Sequence, residues 1–234
     1  MRNRYKWSRL GSLWVVLSFS IYCISVSIVY SRLFNQNLED YLFYLASGLL
    51  SWTFIQSFYV EGITLFSNYK GYIVNINLPF YIYSLISVLR NLVIFLYQIP
   101  VLIIIKLVFS SPISFSMIIF PLSLTLVFIT GILISGILAP IGVIFKDFAQ
   151  LVPAIATILT LVTPILYPKE LLKSATWLYE FNPMYYLVSL VRDPLLGKFP
   201  SFQVICVCLL FVVSLIPIQI CVNRIFGKRI VPII

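Results

Sequence analysis

Charged residues hardly ever interrupt the long apolar stretches of this chain, and that limits its fold more than any other feature. Six runs reach span length, at about 13–30, 41–60, 82–105, 117–138, 148–166 and 202–222. About 20 apolar residues cross the hydrocarbon of a bilayer. No water is available there, so each backbone N–H and C=O must be paired inside the segment, as an α-helix pairs them. Composition agrees: 61% of the residues are hydrophobic and 10% charged, where a soluble domain is nearer a quarter charged. The expected fold is an all-α integral membrane protein with six transmembrane helices. No polar stretch is long enough for a separate soluble domain, so residues 1–234 are expected to form a single transmembrane domain.

The fifth run organises the rest. It follows a charged step at Lys146 and Asp147 and is stopped by Pro164 and Pro168, with Tyr167 between them. An interior proline removes a helical donor and clashes with the preceding turn. The stretch after it, 169–200, is aromatic and moderately apolar, and is broken at Pro183, Pro194 and Gly197. It is too polar to span and too apolar for water. That composition predicts re-entrant helices, which membranes tolerate where the backbone is buried in protein or lines a cavity. Asn182 is placed to cap a helix beginning at Pro183, since proline suits the first helical turn.

At the start, Arg2, Lys6 and Arg9 share one helical face, and Trp7, Leu10 and Trp14 another. This predicts a basic amphipathic turn at a headgroup surface. No small-residue cleavage site follows, so the first run reads as a retained span rather than a signal peptide. Between the second and third spans lies a polar cytoplasmic stretch, Glu61 to Pro79, with Asn68, Lys70 and Asn75. Gly131, Gly136 and Pro140 in the fourth span fit either a broken transporter helix or close helix packing with a bend, and we adopt the second.

Six spans put both termini on one side. That side holds nine basic residues, including Arg2, Arg4, Lys6, Arg9, Lys70 and Lys146, against six opposite. The positive-inside rule then places both termini in the cytoplasm. A net charge of +9 would suggest nucleic acid in a soluble protein. Here the basic residues flank spans, and no nucleic-acid partner is expected. Cys23, Cys206, Cys208 and Cys221 lie inside apolar runs and read as small buried hydrophobes. The chain has no histidine, which removes most metal and triad chemistry. Neither catalytic residues nor a metal site are expected.

No phosphate-binding GxxxxGK[ST] motif occurs, because Ile137 and Leu138 follow Gly136. Nor does any pair of carboxylates sit in the middle of a span, as a proton- or sodium-coupled carrier would require. Arg90 is the one charge clearly inside a span. Two readings stand for it: snorkelling to the headgroups, or facing a cavity, with Glu61 a candidate partner. Aromatic residues make up 16% of the chain. Most fit a membrane belt; Trp14, Tyr22, Tyr41, Tyr44 and Trp52, with Arg90, are the candidates for a substrate path.

Several motifs carry a resemblance. FAQLVPAI (148–155), TPILYP (163–168) and NPMYYLVSLVRDPLLG (182–197) resemble the C-terminal half of the type-2 ABC exporter permeases, the polysaccharide, O-antigen and teichoic-acid export family. RYKWSRLGSLWVVL (4–17) is similar to that family's first span and its approach. The resemblance implies a homodimeric permease with two copies of a separate ABC ATPase subunit. ATP is then bound on the partner, and no cofactor on this chain. The implied cargo is lipid-linked polysaccharide, the implied location the bacterial inner membrane. The same resemblance implies that Asn68, Tyr69, Lys70 and Gly71 lie in the segment that couples to the ATPase. It places 169–200 outside as short re-entrant helices, which we read as an external gate of Pro164, Tyr167, Pro168, Asn182, Pro183, Arg192 and Asp193, against a static cap. Two departures stand out. The lead before the first span is shorter than the family's, and Phe80 and Tyr81 follow Pro79 where the family tends to carry charge. Two other functional classes remain open: an ABC exporter of drugs or small lipids, and an ATP-independent channel or flippase.

Overall fold

The structure is a computed structural model that describes residues 13–76, 78–109, 114–172 and 175–233, with side chains up to Phe226. The expected N-terminal amphipathic turn, the turn at Pro112, and the side chains of Lys228 and Arg229 lie outside the described residues. All regular structure among the described residues is helical. The long helices are α1 (Leu13–Leu33), α2 (Leu38–Val60), α5 (Phe80–Val108), α6 (Phe120–Ile144), α7 (Phe148–Val162) and α10 (Phe202–Ile233). Between them lie α3 (Leu65–Asn68), α4 (Lys70–Asn75), α8 (Trp177–Glu180) and α9 (Pro183–Leu195), with 3₁₀ turns at Phe115–Ile119 and Lys169–Leu171. Four described helical stretches are long and apolar enough to cross a membrane: Leu13–Leu33, Phe80–Val108, Phe115–Ile144 and Phe202–Phe226.

Helix α2 is the central post, packed against α1, α5, α6, α7 and α9. Leu45, Leu50, Ile55 and Trp52 are fully enclosed, and Ser47, Gly48 and Ser51 let neighbours approach closely. Its moderate hydropathy is explained by that position: it faces protein on nearly every side, so it needs no continuous lipid-facing surface. Helix α10 closes the bundle against α6 and α9. At Gly131 of α6 a Cβ would stand 2.7 Å from the ring of Phe58, which is the close packing the glycine predicts.

Expected boundaries move, most of all in the last span, which was expected to end at 222 and continues as α10 to Ile233. The fifth apolar run was expected to be helical over 148–166, but α7 stops at Val162. Thr163 precedes Pro164, and a residue before proline is pushed out of the α region; its ψ is 130°. At about 1.5 Å per residue α7 is about 22 Å long, short of a hydrocarbon core about 30 Å thick. The fourth run goes the other way. Helix α6 continues through Pro140 to Ile144, beyond the end expected near Leu138.

The long helices run between the same two ends of the molecule. At one end Phe34 after α1 meets Tyr41 of α2, Lys106 of α5 lies 5.0 Å above the Phe43 ring, and Ser116 before α6 bonds Pro194 of α9. At the other end α3 packs against α5 and α6. Gly142 of α6 sits so close to Ile63 that a Cβ would fall 1.8 Å from the Ile63 carbonyl oxygen.

Candidate functional site

At the α9 end, the irregular stretch 163–168 lies against α2 and α9. Tyr41 donates to the Leu166 carbonyl. The Tyr44 hydroxyl lies 3.2 Å from the carbonyls of both Pro164 and Tyr167. Tyr167 turns back to donate to the Leu161 carbonyl at 2.8 Å, one of those left open by the end of α7. Asn182 caps α9: its Oδ1 accepts the Met184 N–H at 2.9 Å. Its Nδ2 donates to Thr163 Oγ1, also at 2.9 Å, so the cap fastens α9 to the end of α7. Pro183 occupies the first position of α9, where its missing N–H is not needed.

Arg192 joins these parts. Its guanidinium lies 4.7 Å above the Tyr44 ring. Nη1 donates to the Tyr44 hydroxyl and to the Pro164 carbonyl, both at 2.9 Å. The side chain is almost wholly buried, and Nε has no hydrogen-bond acceptor among the described residues; the Asp193 carboxylate is 3.9 Å from it. Burial pushes the Asp193 carboxyl above its ordinary range, against the pull of Arg192, Lys169 and Lys198. Burial alone would lower Lys169, but Tyr185, which accepts from its ammonium at 3.4 Å, and the Glu170 and Asp193 carboxylates hold it above its ordinary value. Gly197 follows α9 with φ +83°, a conformation that a side chain disfavours. Its carbonyl accepts from Ser114 Oγ at 3.1 Å.

The opposite end is built from α3 and α4. Leu65, Phe66 and Ile73 are buried with Tyr83 of α5 and with Ala139 and Val143 of α6. Outward stand Asn68, Lys70, Gly71, Tyr72 and Val74. Tyr69 is half-buried, its ring 5.7 Å from that of Tyr83. Just inside this end, Glu61 Oε2 accepts from Arg90 Nη2 at 2.5 Å, from Asn91 Nδ2 at 2.5 Å and from Ser87 Oγ at 3.3 Å.

The family profile of the ABC-2 type transporter matches residues 1–196. The chain belongs to the ABC-2 type transporter family. Two relatives are similar to it. The O-antigen export system permease protein RfbA of Myxococcus xanthus is 22% identical over 192 residues, covering 81% of this chain and 74% of that protein. The protein of the same name from Klebsiella pneumoniae is 23% identical over 198 residues, covering 82% and 75%. Family and apolar helices together make this a multi-pass membrane protein.

In this ABC-2 transporter the residues singled out from sequence fall in separate places. Pro164, Tyr167, Pro168, Asn182, Pro183, Arg192 and Asp193 share the α9 end, and Tyr44 joins them. Asn68, Tyr69, Lys70 and Gly71 share the α3–α4 end. The path candidates do not share a surface. Trp14 and Tyr22 lie on the exposed side of α1. Trp52 is enclosed and donates to Thr160 Oγ1 at 2.8 Å. Arg90 is tied to Glu61 near the α3–α4 end. Tyr41, a path candidate from sequence, instead holds the Leu166 carbonyl; sequence reasoning missed Thr163 as a structural partner, and Tyr72 and Val74 as exposed residues. The signal for Thr163 was present, in the proline that follows it.

Proposed function

We propose that this chain is the membrane permease subunit of an ATP-driven exporter of lipid-linked polysaccharide, of O-antigen, capsule or teichoic-acid type, in a bacterial inner membrane. The observation that carries it is similarity over four-fifths of the chain to two O-antigen export permeases. The complex is a homodimer with two ABC ATPase subunits, and ATP is bound and hydrolysed there. Residues 1–234 act as one permease domain with six crossings and both termini in the cytoplasm. In support, α2 is about 35 Å long at 1.5 Å per residue, and α7 is extended toward the α9 end by 163–168. The dimer needs a face not already used within the chain. Helix α7 supplies one: Ala156 is its only buried residue, and Leu151, Ile155, Ile158 and Leu161 point outward.

In this reading α3 and α4 dock the ATPase. Their buried side chains fix them to α5 and α6, so a push on Lys70 or Tyr72 is transmitted to the bundle. The α9 end is the external gate. Reconstitution tests the whole. Liposomes holding the chain and its ATPase should move a lipid-linked oligosaccharide inward-to-outward only with ATP, and the chain alone should hydrolyse none. Movement of a hydrophobic drug but not of the oligosaccharide would overturn the cargo, and movement without an ATPase would overturn the mechanism.

A further inference from the structure

A cleft of about 880 Å³ opens at the α9 end, between the α1–α2 turn, the last turn of α5, the 168–170 stretch and the loop from α9 to α10. That volume falls within the roughly 300–1,000 Å³ of ligand pockets. Four carboxylates line it: Glu39, Asp40, Glu170 and Asp193. Four cations line it as well: Lys106, Lys169, Lys198 and Arg192. The charged residues of the lining are therefore balanced in sum and stand among uncharged ones such as Gln36, Ser201 and Phe199. Among the described residues, the one ion pair within it is the 3.9 Å approach of Arg192 to Asp193. Two of its lysines have other partners: Lys169 donates to the Tyr185 hydroxyl at 3.4 Å and Lys106 lies over the Phe43 ring. A built wall backs them, since Arg192 is held by Tyr44 and the Pro164 carbonyl and is 4% exposed.

The chemistry of this lining selects its ligand. A phosphate or other anion would gain from the lysines but face the carboxylates, and a cation would meet the reverse. A neutral polyhydroxyl compound uses both sets, because each hydroxyl accepts from an ammonium and donates to a carboxylate. Hydrogen bonds with one charged partner are roughly twice as strong as neutral ones. The exposed ring of Phe199 and the half-buried ring of Phe109 add apolar faces of the kind that line ligand sites.

We propose that this cleft, within one protomer, is a glycan-binding site for uncharged sugar units of the exported chain. The proposal rests on the polysaccharide reading above. It gives the α9 end a hold on the leading part of the polymer, separate from any passage between two copies.

Two measurements test it on the full chain with its ATPase in lipid nanodiscs and in cells. Saturation-transfer NMR with maltotriose, mannotriose and rhamnose should detect at least one of these neutral sugars. Glu170→Gln and Lys198→Ala, both at exposed positions, should each weaken that binding about tenfold, and inorganic pyrophosphate should not displace the sugar. Binding by none of the three, binding unchanged in both variants, or displacement by pyrophosphate would overturn the proposal. In cells, Gln36→Cys at the exposed rim, in a background without the native cysteines, should lose surface polymer when treated with a bulky methanethiosulfonate. A methyl-sized reagent should leave export intact, and reductant should restore it. Export indifferent to the bulky reagent counts against the cleft alone if deletion of the chain abolishes surface polymer. Normal surface polymer after deletion would instead remove the polysaccharide reading itself.

Discussion

Arg192 places a charge where water scarcely reaches, and its partners make that tolerable. The guanidinium fork meets a hydroxyl and a carbonyl and lies over a ring. Removing it takes one donor each from the Pro164 carbonyl and the Tyr44 hydroxyl, which keep the longer 3.2 Å contact with each other, and a hydrogen bond from a charged group is worth about 1.5–3 kcal/mol. Arg192→Ala should therefore lower the melting temperature in detergent clearly. Tyr44→Phe, which keeps the ring and removes one acceptor, should lower it less. Equal melting of all three proteins would show that the link between α2, α9 and 163–168 does not hold this end together. Asp193 gives a pH signature. Its raised native pKa means that the folded state keeps the proton after the unfolded state has lost it. Stability is then full below the unfolded carboxylate pKa and falls as pH rises through the native one. Asp193→Asn should flatten that fall in a melting series across acidic to neutral pH, and an unaltered slope would assign it to other groups.

At the scale of elements, α3 and α4 have an anchored face and a free one. The anchored face is Leu65, Phe66 and Ile73. The free one carries Tyr72 and Val74, about 60% exposed, next to Lys70. Apolar side chains left outward beside a charge suit a protein partner better than water. Tyr72→Ala with Val74→Ala should reduce copurification of the ATPase more than Asn68→Ala with Lys70→Ala, with melting unchanged. The reverse order would put the contact on the polar residues. Gly142→Ala probes the anchoring instead. Its Cβ would overlap the Ile63 carbonyl oxygen, a backbone atom that cannot step aside alone. Overpacking of this kind costs about 1–3 kcal/mol, so both melting temperature and ATPase binding should fall.

Over the whole molecule, the long helices connect two chemically distinct ends, one with an open charged cleft and one with two short amphipathic helices. Six crossings fit that arrangement, with Gln36 and Glu170 at one end and Lys70 and Lys146 at the other. In a background lacking the native cysteines, single cysteines at Gln36 and Glu170 should react with an impermeant thiol reagent added outside intact cells. Cysteines at Lys70 and Lys146 should react only after permeabilisation. Labelling of all four from outside would remove the six-crossing count, and a reversed pattern would invert the charge argument.

Composition and run length were enough to determine a helical membrane protein, because hydrocarbon admits few ways of pairing the backbone and leaves a legible mark in every apolar run. Local rules also reached Asn182 as a cap and a stop near Pro164, since proline chemistry and capping act over a few residues. The short motifs at 148–155, 163–168 and 182–197 carried the family resemblance. What only the tertiary structure decided concerns partners far apart in the chain. Tyr44 and Arg192 are separated by 148 positions, and nothing local distinguishes Tyr44 from the belt aromatics around it. Trp52 reads like a path residue but is enclosed, because the side of a helix that faces inward depends on which neighbours surround it. Arg90 found Glu61 in the same way, across two helices. The charges of the cleft were visible one by one. Their neutrality as a set arises only where four separate segments of the chain meet.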